Sequence, residues 1–177
     1  MLMSLRGNRK LRPASRLRLA CMLLLASLTL ILSGCYSFSG STLPPHLRTL
    51  RVFPLENRTL EPSMPDRIFL GLQNGYRSRS SLRPVNTNAD AEIHGTLLQY
   101  SHQPQSTSGA NVTTWRVDIL FKAVFVDRVR GDTLYADDRI PGYGFYTPDA
   151  GETEETGRTR AIESLVKVVL DNTVLAW

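Results

Sequence analysis

Two hydrophobic periods organise the chain. Ala91, Ile93, Gly95 and Leu97 alternate with Glu92, His94 and Thr96, and the alternation returns through Trp115, Val117, Ile119, Phe121, Ala123 and Phe125. A period of two predicts half-buried strands, and the polar stretch Gln103 to Asn111 between them predicts the loop of an antiparallel hairpin. A third run, Thr133 to Ile140, comes after the Arg130-Gly131-Asp132 turn and extends the hairpin to a three-strand meander. Elsewhere the period is helical. Ile68, Phe69, Leu72 and Tyr76 share one face behind a start signal of Ser63, Pro65 and Asp66. Ala161, Ile162, Leu165, Val166, Val169, Thr173 and Ala176 form a second stripe, opened by Thr153, Glu154, Glu155 and Thr156.

Gly71 and Gly75 weaken the first helix by about 1 kcal/mol each relative to Ala. A short strand at Leu47 to Phe53 precedes that helix, a shorter one at Arg83 to Val85 comes after it, and Pro141 to Gly151 reads as a glycine-rich loop. The expected fold is a two-layer α+β sandwich, with two helices packed on one face of a mostly antiparallel sheet of about four strands.

The first 34 residues have a different pattern. A basic stretch without acids leads into the apolar run Leu19 to Leu32, broken only by Ser27 and Thr29, and then into Ser33-Gly34-Cys35. Charged, apolar and small-residue regions in this order predict a secretory signal peptide. The run falls short of the roughly 20 apolar residues needed to span a bilayer. Leu32-Ser33-Gly34-Cys35 matches a bacterial lipobox, so residues 1–34 are expected to be removed and Cys35 to carry the lipid. Residues 35–45 then form a Ser, Gly and Pro-rich tether, and residues 46–177 form one domain. Tyr36 in place of Asp after the cysteine leads to an expectation of outer-membrane sorting, facing the periplasm.

That division changes the meaning of the charge. The formal charge of +5 comes from 21 Lys and Arg against 16 Asp and Glu, but six of the basic residues precede position 19 and no acid precedes Glu56. From Cys35 onward the net charge is −1, which argues against a nucleic-acid-binding domain. Of the two cysteines, Cys21 leaves with the signal and Cys35 is acylated, so the domain is expected to fold without a disulfide.

Catalytic chemistry has little support. His46, His94 and His102 are scattered without metal-ligand spacing, and read as exposed strand histidines. There is no nucleophile elbow or phosphate-binding loop, and Asp137 and Asp138 point to opposite faces of a strand. No enzyme activity, metal or cofactor is expected. Two features concern partners. Arg77, Arg79 and Arg83 form a cluster with no acid between Asp66 and Asp90; they either complement a helix C-terminus or contact phosphate. Leu98, Tyr100, Leu120, Val124 and Val126 are apolar at outward strand positions, and form either a partner-contact patch or core beneath a loop.

The chain also resembles a known family. Gly34-Cys35-Tyr36-Ser37-Phe38, Leu43-Pro44-Pro45-His46-Leu47 and Val52-Phe53-Pro54-Leu55-Glu56-Asn57-Arg58-Thr59 are similar to the opening of LptE-type lipopolysaccharide-assembly lipoproteins. A helix after Glu61-Pro62, a strand entered through Ala89-Asp90-Ala91-Glu92-Ile93-His94-Gly95 and a closing helix ending at Trp177 come in the same order. The resemblance implies a two-helix, four-strand lipoprotein that pairs as a heterodimer with an LptD-type β-barrel, acts as its plug and chaperone, and assists lipopolysaccharide delivery. The alternative is a scaffold or activator lipoprotein of another envelope complex.

Overall fold

The structure is a computed structural model, and residues 43–109 and 111–175 are described. The expected signal peptide, Cys35, most of the expected tether, Ala176 and Trp177 lie outside the described residues. The chain forms β1 (Thr49–Val52), β2 (Glu56–Asn57), α1 (Met64–Arg79), β3 (Arg83–Pro84), β4 (Ala91–Ser108), β5 (Asn111–Asp127), β6 (Asp132–Tyr146) and α2 (Glu154–Leu170), with one short 3-10 turn before α2 and a π-helical segment, Asp171–Leu175, after it.

The sheet is mixed and has six strands, in the order β3-β1-β4-β5-β6 with β2 also paired to β4. Thus the α+β class is observed, with more strands than the four expected. β4, β5 and β6 form the antiparallel meander, while β1, β2 and β3 join it through parallel pairings only two or three residues long. Such short pairings leave no periodicity to read. Both expected loops, Gln103 to Asn111 and Pro141 to Gly151, are strand over much of their length. Gln103 to Ser108 continues β4, and Pro141 to Tyr146 continues β6.

Side-chain alternation sends Ala91, Ile93, Leu97, Val117, Ile119, Phe121, Ala123, Phe125 and Ile140 to one face, where they meet Ile68, Leu72, Tyr76, Ala161, Leu165 and Val169 from the helices in a single core. The start of α1 departs from expectation in one respect. Ser63 occupies the N-cap position, but its hydroxyl makes no capping bond; Pro65 fills the first turn and Asp66 faces the positive helix end.

The glycines set how closely the layers pack. A Cβ on Gly75 would lie 2.7 Å from Val166 Cγ1, and one on Gly71 3.0 Å from Ile162 Cγ2. The residues that weaken α1 as an isolated helix therefore let it approach α2. Gly142 and Gly144 stand on β6 directly beneath α2, where a Cβ on Gly144 would overlap the Gly157 carbonyl and lie 2.5 Å from Ala161 N. Gly75→Ala is expected to destabilise the fold by about 1–3 kcal/mol through overpacking against a stiff valine, against a propensity gain of about 1 kcal/mol. Gly144→Ala, which meets backbone rather than side chain, should cost more. Urea unfolding of both variants checks the order, and a stabilised Gly75→Ala would contradict this packing.

Candidate functional site

The helices cover one face of the sheet. On the other face Leu120 stands opposite Pro141, Val124 opposite Ala136 and Val126 opposite Thr133. All three are half-buried, and no helix packs over them among the described residues. Further along the same face are Tyr143, 49% exposed, and Phe145, 37% exposed. Their rings lie edge to face with centroids 5.9 Å apart. The Arg116 guanidinium sits 5.5 and 5.7 Å from the two centroids and is paired with Asp118 at 2.6 Å. This apolar and aromatic surface is the candidate contact site.

Two members of the expected patch are placed differently. An irregularity between Leu97 and Gln99 leaves Leu98 without a register partner and brings Tyr100 opposite Ile119, on the helix side. One extra residue in a strand reverses the facing of every residue beyond it. The Tyr100 hydroxyl consequently donates to Glu154 Oε1 at 2.7 Å and accepts from Arg158 Nε at 3.0 Å. Tyr143 and Phe145 are absent from the expected patch because their glycine-rich surroundings read as a loop rather than as strand.

The arginine cluster divides in a similar way. Arg77 and Arg83 line one depression of about 450 Å³ with Ser80, Ser81 and Leu82, whereas Arg79 borders the groove between the helices beside Gly75 and Glu163. None of the three makes an ion pair among the described residues.

Each histidine, expected to be solvated, lies beside a carboxylate: His46 Nε2 is 2.6 Å from Asp127 Oδ2, His94 Nε2 3.6 Å from Glu92 and His102 Nδ1 3.5 Å from Glu154. These are separate pairs, and no group of three metal-ligating side chains occurs among the described residues. His102 also reaches Tyr146 Oη at 2.8 Å, and Arg158 joins Glu154 to Glu61. The Tyr100 hydroxyl bond holds the Glu154 carboxyl below its ordinary value, while burial pushes the Tyr100 and Tyr146 phenols up. An ionised carboxylate beside protonated phenols makes a stable polar lock between β4, β6 and α2.

Asp137 and Asp138 do not converge. Asp137 accepts from Tyr135 and the Arg139 amide, and Asp138 pairs with Lys122.

No protein-family model matches the chain, and no curated protein matches it significantly. Solved structures are similar to it in part. The uncharacterized lipoprotein B from Nitrosomonas europaea is 14% identical over 77% of this chain and 88% of its own, with a TM-score of 0.51. The PelC dodecamer from Paraburkholderia phytofirmans is 16% identical over 76% and 94%, with a TM-score of 0.48. A minor lipoprotein from Acinetobacter baumannii is 14% identical over 73% and 92%, with a TM-score of 0.40. The first of these likenesses supports the mixed α+β fold.

Asp127 yields a pH prediction. Burial acts to raise its carboxyl, but the amide of Arg130, the ring of His46 and the amide of Val129 outweigh burial and hold it below the ordinary value. A depressed carboxylate adds stability that is present above the unfolded value near pH 4 and is lost as pH falls through the folded one. Asp127→Asn is expected to lose about 1–3 kcal/mol at pH 7, with the gap to the parent protein closing below about pH 4 in acid titrations of stability.

Proposed function

We propose that the chain is a lipid-anchored lipoprotein of the bacterial envelope that works by contact, as the partner of an LptD-type β-barrel in lipopolysaccharide transport and outer-membrane assembly. The observation that carries this reading is the uncovered sheet face bearing Leu120, Val124, Val126, Tyr143 and Phe145. An apolar, aromatic face with an arginine among its rings has the composition of protein interfaces. The lipobox at Cys35 and the LptE-like segments Leu43 to Leu47 and Val52 to Thr59 supply the rest of the reading. The fold shared with a protein named as a lipoprotein is consistent with it. The paired histidines and the Glu154 lock have structural partners, so the reading assigns no catalytic residue.

Affinity purification of the lipoprotein from solubilised outer membranes tests the proposal. A large β-barrel protein should be recovered with the parent chain and lost with Leu120→Glu and Val124→Glu together, provided that the variant keeps its circular dichroism spectrum. A monomer in detergent with no barrel partner would sink the reading.

A further inference from the structure

α1 and α2 run side by side in the same direction, because their contacts proceed in step from Arg67 with Glu155, through Gly75 with Val166, to Tyr76 with Thr173. Their C-termini therefore lie at one end of the sheet. At that end β1 and β4 begin and β5 finishes: the Asp90 carboxylate accepts from the Arg48 and Thr49 amides, Arg83 N donates to Arg48 O at 2.9 Å, and Arg128 N donates to Asp90 O at 2.8 Å. The chain enters the fold there too. Leu43 and Leu47 are buried in the core, and His46 is fastened to Asp127 at the end of β5.

Arg48, Arg77, Arg79, Arg83, Arg128 and Arg130 are all exposed at this end. Only Arg128 has an ion pair among the described residues, with Glu92 at 3.4 Å. The neighbouring acids are mostly satisfied within the fold: Asp90 by three donors, Asp127 by His46 and two amides, and Asp171 by Lys167; Asp132 and Glu163, which borders the same groove as Arg79, are the exposed exceptions. At the opposite end Arg67, Arg158 and Arg160 each face a glutamate. The domain thus has unneutralised arginines where the chain enters it and neutralised ones at the far end. A second observation is independent of charge. Val129, between Arg128 and Arg130 at the β5–β6 turn, is 61% exposed.

We infer that the end of the domain bearing Arg48, Arg77, Arg83, Arg128, Val129 and Arg130 is a membrane-docking surface for the phosphate groups of anionic phospholipids in the leaflet that holds the lipid anchor. The inference rests on the anchor at Cys35 proposed above. Leu43 lies eight positions after Cys35, a reach of about 29 Å at most when fully extended, so an anchor at Cys35 keeps this end near the headgroups. β5, with 17 residues, places the hairpin tip about 55 Å away. Guanidinium groups match phosphate geometry, a basic surface beside a lipid anchor supplies the second signal that stable attachment uses, and an apolar residue between two arginines suits the boundary between headgroups and acyl chains.

The test uses the full mature lipoprotein in vesicles, with a fluorophore on Val129→Cys at this end or on Ser106→Cys near the hairpin tip, and spin-labelled lipid as quencher. In vesicles of phosphatidylcholine with phosphatidylglycerol, quenching should be several-fold stronger at position 129 than at position 106. It should fall towards the position-106 level in phosphatidylcholine alone, in high salt, or with Arg77→Glu, Arg83→Glu and Arg130→Glu combined. Equal quenching at the two positions, or no dependence on phosphatidylglycerol, in a chain that floats with the vesicles overturns the docking surface and leaves the anchor standing. Quenching that appears only when lipopolysaccharide is added also overturns it, and assigns the arginines to lipid A phosphates. Flotation separates the underlying reading: if Cys35→Ala floats as well as the parent, the anchor fails and the inference with it.

Discussion

The backbone of α2 rests almost directly on the backbone of β6, and the rest of the architecture depends on that contact. It is possible because Gly142 and Gly144 on the strand face Ala161 and Gly157 on the helix, leaving no room for a Cβ at Gly144. α2 is thereby fixed low over one face of the sheet, and α1 is drawn against it by Gly71 and Gly75. With both helices on one side, the odd-numbered side chains of β5 from Val117 to Phe125 are fully covered and the even-numbered ones are left to water or to a partner. The shared direction of the helices also gathers their C-termini beside the entry of the chain.

The elements legible in the sequence are those whose residues alternate over many positions. The core of β4 and β5 can be read from Ala91 to Leu97 and from Trp115 to Phe125, and α2 from its stripe between Ala161 and Val169. The features that escape such reading depend on contacts far apart in the chain. β2 and β3 are two residues long and exist only because neighbouring strands offer parallel partners. Gly142 and Gly144 read as a loop, since a strand that must admit a helix backbone resembles a turn in composition. Strict alternation puts Tyr100 on the wrong face because of one irregularity after Leu97, and His46 meets a carboxylate 81 positions away, which no local motif announces.

The net charge of −1 after Cys35 also conceals a spatial fact. Averaged along the chain, basic and acidic residues nearly cancel, but the fold pairs Arg67, Arg158 and Arg160 at one end and leaves Arg48, Arg77, Arg83 and Arg130 without ion pairs among the described residues at the other. One surface, at the end where Leu43 and Leu47 join the core, is thus basic, and a different one, the open sheet face, is apolar. On the proposed reading, the first orients the domain and the second engages a partner.

On the proposed reading, the domain works through its uncovered sheet face. Site-specific photo-cross-linking in intact cells tests it most directly, with the reactive residue placed at Leu120, at Tyr143, or at Glu163 on the exposed side of α2. Adducts to a large β-barrel protein are expected from Leu120 and Tyr143 and none from Glu163. Adducts from Glu163 with none from the sheet face would contradict that reading.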